Sequence, residues 1–310
     1  MADLDLSSLK TALECECPSK TDLESVDLEG ISKLFLQNKV QNIITMAGAG
    51  ISTGDCWHTR FPQPRKWDLR QFGGIRSSFS PCRFFYRLFR CMGIILIILK
   101  LNPEPFFKVA KRLYRPLAKP TLSHLFISLL NKKGLLKRHY TQNVDNLDRL
   151  AGVPEDKLVE AHGTFNTGHC TNCHKQHPFE YMEKLISQDK IPICSEQSCN
   201  GIVKPDIVFF GESLPEKFHR CTAKDFEHCD MLIVMGTSLT VAPFCSLIHD
   251  VQPNVPRVYF NRTASDCTFD GLPWESSENK RDVLVRGDSD DGVLRLCELI
   301  GWKVLRDSMN

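Results

Sequence analysis

Apolar residues fall along the chain in short runs separated by longer stretches of mixed character. Asn42-Ile43-Ile44-Thr45-Met46 is one such run, and it ends in Ala47-Gly48-Ala49-Gly50. Others are Arg138 to Thr141, Leu158 to Ala161, Asp206 to Phe210, Met231 to Met235, Arg257 to Phe260 and Val283 to Val285. Short apolar-rich runs of this kind predict strands buried on both faces. Between them, Ile31 to Asn38 predicts a short amphipathic helix. Thr121 to Lys132 places Leu122, Leu125, Phe126, Leu129 and Leu130 on one helical face. Gly134 suits the left-handed residue that stops such a helix. Alternation of the two patterns predicts an α/β fold with a Rossmann-type parallel sheet covered by helices on both sides.

From Gly163 to Lys204 the periodicity gives way to Cys, His and polar residues. That texture predicts a small inserted module rather than a layer of the sheet. The expected organisation is a mobile polar arm over 1–30, the first part of the sheet domain over 31–56, and a helical segment over 57–119. The sheet domain resumes over 120–162, the small module occupies 163–204, and the rest of the sheet domain runs over 205–302.

Charge changes the picture only locally. The 310-residue chain carries a net +2, which gives no general attraction to nucleic acid, and none is expected to bind directly. Yet Trp57 to Lys100 holds nine Lys/Arg and a single acid, Asp68, so this stretch is +8 and the rest of the chain is −6. The longest apolar run, Met92 to Leu99, is far short of the roughly 20 residues of a membrane span, so no membrane association is expected. The acidic first thirty residues contain no apolar core of a secretory signal. A reducing, intracellular compartment is the expectation, in which clustered cysteines are metal ligands before they are disulfides.

Of the fourteen cysteines, four stand in two close pairs: Cys170-x2-Cys173, then twenty residues, then Cys194-x4-Cys199. Two knuckles of this spacing bring four thiolates to one tetrahedral zinc ion and leave no position for water, which makes the site structural. His169, His174 and His177 lie close enough in sequence to substitute.

Gly48-x-Gly50 after a strand is half of a dinucleotide-binding fingerprint, in which small residues let the backbone approach a pyrophosphate. The third glycine is replaced by Thr53, and a plain strand-to-helix turn accounts for the same residues. Gly236-Thr237-Ser238 forms a second turn after a strand, and Asn261 ends another. Gln142-Asn143-x-Asp145 follows the Arg138 to Thr141 run, where its polar groups can hold ribose hydroxyls or a carboxamide, or cap a helix. His162 follows Leu158 to Ala161. An imidazole at a strand's carboxyl end can serve as a base near neutral pH or be structural.

Gly48-Ala49-Gly50-Ile51-Ser52-Thr53, Thr141-Gln142-Asn143-Val144-Asp145, Glu160-Ala161-His162-Gly163 and the cysteine pairs occur in this order. Lys204-Pro205-Asp206-Ile207-Val208-Phe209-Phe210-Gly211-Glu212 and Gly236-Thr237-Ser238-Leu239 follow. Together they resemble the sirtuin family of NAD-dependent protein-lysine deacylases. Glu212-Ser213-Leu214-Pro215 resembles the cytosolic branch that deacetylates tubulin and histones. The resemblance implies a zinc-ribbon small domain on a Rossmann-type domain, with NAD and acyl-lysine between them. It implies transfer of an acetyl group to ADP-ribose with release of nicotinamide, on acetylated histone- or tubulin-like proteins, in the cytoplasm and the nucleus. His162 would be the base, with Asn143 and Asp145 at the nicotinamide and ribose end. Ala49, Gly50, Ile51, Ser52 and Thr53 would bind NAD, together with Gln142 and Val144. Thr237, Ser238, Asn261, Arg262 and Thr263 would bind the rest of NAD, and Ser289 falls where this branch often has a cysteine near the adenine. Val208 and Phe209 would pair with the substrate backbone by strand addition. Zinc would sit on Cys170, Cys173, Cys194 and Cys199.

The family continues its glycine turn with Gly-Ile-Pro-Asp-Phe-Arg, which closes over NAD. This chain instead has Gly54-Asp55-Cys56-Trp57-His58-Thr59-Arg60-Phe61-Pro62, and the resemblance resumes at Asn102-Pro103-Glu104. Trp57 to Arg65 can be encoded TGG CAT ACC AGA TTT CCG CAG CCC AGA. Read one nucleotide later, this gives Gly-Ile-Pro-Asp-Phe-Arg-Ser-Pro. Permissible codons for Lys66 to Phe72 continue in that frame as Ser-Gly-Ile-Tyr-Asp-Asn-Leu. The basic stretch from about Asp55 to Lys100 therefore reads as an out-of-frame peptide, against the alternative of a true basic insert that binds a partner or an anionic surface. Loss of the closing loop implies weak or no turnover, leaving an NAD- or ADP-ribose-binding scaffold or a protein ADP-ribosyltransferase as rival readings. Sequencing the transcript is expected to show the Gly-Ile-Pro-Asp-Phe-Arg codons in the shifted frame. A message lacking them overturns the out-of-frame reading.

Overall fold

The computed structural model describes residues 23–52, 102–113, 118–209, 211–262 and 276–302. The basic stretch, Thr53, Phe210 and Thr263 lie outside the described residues. Six strands form one parallel sheet: β1 (Ile43–Ala47), β2 (Leu136–Thr141), β3 (Leu158–Glu160), β7 (Met231–Met235), β8 (Arg257–Asn261) and β9 (Asp282–Arg286). Their spatial order is β3-β2-β1-β7-β8-β9. The chain thus winds outward in one direction from β1 and in the other from β7, so the crevice for a ligand lies between those two strands.

Side-chain alternation explains why both faces are covered. Along β1, Ile43 and Ala47 join one core while Ile44 and Met46 join the other. β7 does the same, with Met231, Ile233 and Met235 on one side and Leu232 and Val234 on the other. The first core is closed by three helices, α1 (Leu28–Leu36), α3 (Leu122–Lys132) and α7 (Ser289–Leu299). The second is closed by α6 (Glu216–Asp225) and the 3-10 helix Phe244–His249.

Helix α1 begins three residues before the expected Ile31, because Asp27 caps it: its Oδ1 accepts the Gly30 N–H at 2.7 Å. Such a cap is worth about 1 kcal/mol. Leu28, Ile31 and Phe35 then share the buried face, so the expected arm does not extend to residue 30.

The Asp206 to Phe210 run is also placed differently. The strand is β6 (Val203–Ile207), and it belongs to a separate antiparallel sheet, β5-β4-β6, with β4 (Gly163–Cys170) and β5 (Gln176–Pro178). Val203, Pro205 and Ile207 point inward while Lys204 and Asp206 are half-buried, and this alternation hides the strand from a search for continuous apolar runs. The small module therefore has a sheet of its own and extends past Lys204. Helices α2 (Glu104–Leu113) and α5 (Phe179–Ser187) complete its core through Phe107, Ala110, Met182 and Ile186.

A buried ion pair ties the outer strands together. Arg257 Nε and Nη2 donate to Asp282 Oδ1 and Oδ2 at 2.5 and 2.8 Å, and Nη1 donates to the Ile248 carbonyl at 2.7 Å. Asp282→Asn leaves a guanidinium buried without its counter-charge. The variant is expected to lose about 3 kcal/mol in urea unfolding, and a loss below about 1 kcal/mol would contradict burial of the pair.

Candidate functional site

The carboxyl ends of β1 and β7 meet through main chain alone. Gly50 N donates to the Gly236 carbonyl at 2.7 Å, Gly48 N to Met235 at 3.1 Å, and Gly236 N to Phe260 at 3.0 Å. A Cβ on Gly50 would stand 2.5 Å from Gly236 Cα, and one on Gly48 2.7 Å from Thr237 Cβ. Gly236 is also left-handed, at φ +58°. No side chain fits at this crossing, which leaves a cradle of bare backbone where a pyrophosphate can approach. The turn continues as a 3-10 helix, Ala49–Ser52.

Polar side chains from the neighbouring strand ends converge on the cradle. Gln142, after β2, donates its N–H to the Ala47 carbonyl at 2.9 Å and accepts from Thr237 Oγ1 at 2.7 Å. Asn143 Nδ2 donates to the Gly48 carbonyl at 3.1 Å and to Ser52 Oγ at 3.3 Å. Ser52 Oγ donates to Asp145 Oδ2 at 2.6 Å, and Asp145 Oδ1 accepts the Leu147 N–H at 3.1 Å, at the start of the short helix α4 (Leu147–Leu150). Val144 packs toward the core of the small module.

On the other side, Asn261 Nδ2 donates to the Thr237 carbonyl at 2.8 Å. The Arg262 guanidinium pairs with Asp288, while Ser289 Oγ donates to the Phe260 carbonyl at 3.1 Å. Ser238 is exposed beside Thr240. The expected residues Ala49, Gly50, Ser52, Gln142, Asn143, Asp145, Thr237, Ser238, Asn261, Arg262 and Ser289 thus line one edge of the sheet. Ile51 differs: its side chain is in the core and its carbonyl is taken by Thr121 Oγ1 at 2.8 Å.

His162 follows β3, half-buried, with its ring 6.2 Å from that of Phe244. Burial holds its pKa below the ordinary imidazole value, opposed by a hydrogen bond to the Gln142 main chain. The ring is therefore neutral at pH 7. Its own carbonyl accepts the Val208 N–H at 2.8 Å, which carries the β4–β6 pairing one residue beyond Ile207. Phe209 N donates to Glu212 Oε2 at 2.7 Å, and the Phe209 carbonyl accepts from Glu212 N at 2.9 Å. The N–H groups of Val208 and Phe209 both have partners within the chain.

Sequence reasoning missed a buried polar group beneath this edge. His139 lies between Thr45 Oγ1 at 2.8 Å and Asp148 Oδ1 at 3.0 Å, and His124 Nε2 is 4.0 Å from the same carboxylate. His124 Nδ1 accepts the Thr121 N–H at 3.2 Å, so the ring is linked through Thr121 to the glycine turn. Burial pushes the pKa of His124 down against the pull of Asp148 and Asp145. The one signal in the sequence is polar residues inside a run predicted to be a buried strand.

In the small module the Sγ atoms of Cys170, Cys173, Cys194 and Cys199 lie within 4.8 Å of one another. Cys170 and Cys199 are 3.5 Å apart, Cys173 and Cys194 3.6 Å. Four sulfurs at about 2.3 Å from zinc form a tetrahedron with edges of about 3.8 Å, so the set fits one zinc ion. The N–H groups of Asn172 and Cys173 point at Cys170 Sγ, and that of Glu196 at Cys194 Sγ, each favouring thiolate. Two of the three nearby histidines are engaged elsewhere: His169 with Asp206 at 2.7 Å, and His177 against the Tyr181 ring at 4.8 Å. Metal analysis is expected to give one zinc per chain. Cys173→Ser should release it and raise hydrogen exchange over 163–207 while β1 and β7 stay protected, whereas retention of the metal would exclude this ligand set.

A Sir2 family model matches residues 96–243, beginning only as the basic stretch ends. NAD-dependent deacetylase sir2A of Dictyostelium discoideum is 42% identical over 283 residues, covering 91% of this chain and 53% of that protein. NAD-dependent protein deacetylase sirtuin-2 of Danio rerio is 40% identical over 299 residues, covering 92% and 75%. NAD-dependent protein deacetylase hst2 of Schizosaccharomyces pombe is 38% identical over 278 residues, covering 90% and 77%. The chain therefore spans about half of the first relative and three quarters of the other two. Similarity that runs through nearly all of this chain, on a sheet with this switch point and this cysteine set, makes it a member of the Sir2 family.

Proposed function

We propose that this chain is an NAD-dependent protein-lysine deacetylase that moves an acetyl group from lysine to ADP-ribose and releases nicotinamide. The observation that carries the reading is the glycine crossing flanked by Asn143, Asp145 and the neutral ring of His162. Histone- or tubulin-like acetylated proteins are the proposed substrates, and the cytoplasm and nucleus the proposed places of action. When bound, NAD supplies a ribose carbon open to attack by the acyl oxygen, with nicotinamide as leaving group.

The chain's own groups have distinct parts. The glycine turn at Gly48 and Gly50 would hold the diphosphate, since neither residue has a Cβ to keep it away. Asn143 and Asp145, fixed through Ser52, hold the carboxamide and ribose end. Burial favours the neutral His162 ring, which has a lone pair to take a proton from a ribose hydroxyl. Zinc has no reacting role, because four cysteines fill its coordination.

The missing Gly-Ile-Pro-Asp-Phe-Arg sequence favours a second reading for the chain as it stands: an NAD- or ADP-ribose-binding scaffold with little turnover. Positioning of a reacting cofactor governs orders of magnitude in rate. A version with the frame restored is expected to release nicotinamide from NAD and acetyl-lysine peptide at least about a hundredfold faster than the chain as written. Calorimetry with NAD shows whether the latter still binds. His162→Ala should abolish turnover of the restored version. Because burial lowers the folded pKa, its rate should fall as acid protonates His162, at a lower pH than an ordinary imidazole would give. Equal rates for the two versions would overturn the scaffold reading, and a restored version that leaves acetyl-lysine untouched would overturn deacetylation.

A further inference from the structure

Lys204 occupies a position that no step above uses. It stands on β6 opposite His169, one residue from the Cys170–Val203 pair, so the zinc knuckle fixes its main chain. Its Nζ donates to the Ile207 carbonyl at 3.0 Å and to Glu212 Oε2 at 3.2 Å, and lies 4.4 Å from the centroid of the Phe209 ring. The same Glu212 oxygen accepts the Phe209 N–H at 2.7 Å. Phe106 of α2 meets the Phe209 ring edge-on at 5.6 Å. The ammonium is thus shared between a strand end, a carboxylate and an aromatic face, and only 17% of its side chain is exposed.

Each of these partners belongs to one short segment. Val208 leaves His162, Phe209 turns inward, and Glu212 folds back to hold both the N–H and the C=O of Phe209. Gly211 is left-handed at φ +92°, a conformation that a side chain would strain. The shape of the turn therefore depends on the Glu212 carboxylate, and that of the carboxylate on Lys204. A half-buried charge-assisted network of this kind is stronger than a surface pair.

We infer that Lys204 is a positioning residue for the acyl-lysine substrate: it locks the Val208–Glu212 turn beside His162 and passes the rigidity of the zinc module to it. The inference rests on the proposed deacetylase reading for its ligand, while the clamp itself is measured independently.

Lys204→Met keeps the apolar stem against Phe209 and removes the charge. In the full chain, hydrogen exchange at 208–212 is expected to quicken about tenfold in this variant. Its affinity for a fluorescein-labelled acetyl-lysine peptide, read by anisotropy, should fall about tenfold, with NAD affinity by calorimetry changed less than about twofold. Lys204→Arg should restore most of the peptide affinity, and Glu212→Gln should weaken peptide but not NAD. Unchanged exchange at 208–212 in Lys204→Met overturns the clamp. Equal loss of peptide and NAD affinity overturns the specific role in favour of general destabilisation. A parent chain with no peptide affinity, yet with quickened exchange in the variant, overturns the substrate assignment and leaves the clamp standing.

Discussion

Everything at the functional edge depends on how closely two turns of backbone approach each other. Gly50 N and the Gly236 carbonyl are 2.7 Å apart, and neither Gly48, Gly50 nor Gly236 has room for a Cβ. That contact exists because β1 and β7 are neighbours whose chains leave the sheet in opposite directions. Once the turns touch, the side chains around them have few options. Thr237 is pressed against Gln142, Asn143 reaches the Gly48 carbonyl, and Asn261 reaches the carbonyl of Thr237. Four strand ends are stitched together by hydrogen bonds, and each bond also orients a group that can face a ligand. Stability and preorganisation are here the same set of contacts.

The small module is joined to this edge at a second close approach. Gly163 directly follows His162, is left-handed at φ +77°, and leaves only 2.0 Å between a would-be Cβ and the Asp206 carbonyl. β4 thus departs from the candidate base, and β6 returns to it through the Val208–His162 hydrogen bond. At their far ends the two strands pair Cys170 with Val203, inside the metal cluster. A structural ion at one end of a short ladder would therefore fix the strand register at the other, beside the candidate base. The module's core is small, and its four thiolates would repel without the cation, so the metal supplies what burial does not.

Much of this was legible because it is local. Every strand of the main sheet shows as an apolar run, and the cysteine spacing defines the ligand set without help from the fold. The rest was hidden because it is made by partners far apart in sequence or by polar residues in apolar company. Thr45 and His139 are 94 residues apart and buried together, and Asp282 meets Arg257 across adjacent strands. β6 was misplaced because a half-buried strand shows only every second residue to the core. Helix α1 began early because a single carboxylate at Asp27 settles where it starts. Ile51 belongs to a binding motif, yet its side chain serves the core, so the role of that position is exerted by main chain.

The basic stretch takes a different meaning once the edge is described without it. The glycine crossing, the Gln142–Thr237 and Asn261–Thr237 bonds and the Asn143–Ser52–Asp145 chain are all formed by residues outside 53–100. The proposed dinucleotide cradle and the candidate base are therefore encoded separately from whatever closes over them. Closure contributes by excluding water and holding reacting atoms in line, and these act on rate more than on fold. A chain altered only in that stretch can keep the family's sheet, metal and cradle and still lose the step the cradle was built to serve. The +8 stretch beside an otherwise −6 chain marks the boundary between these two contributions.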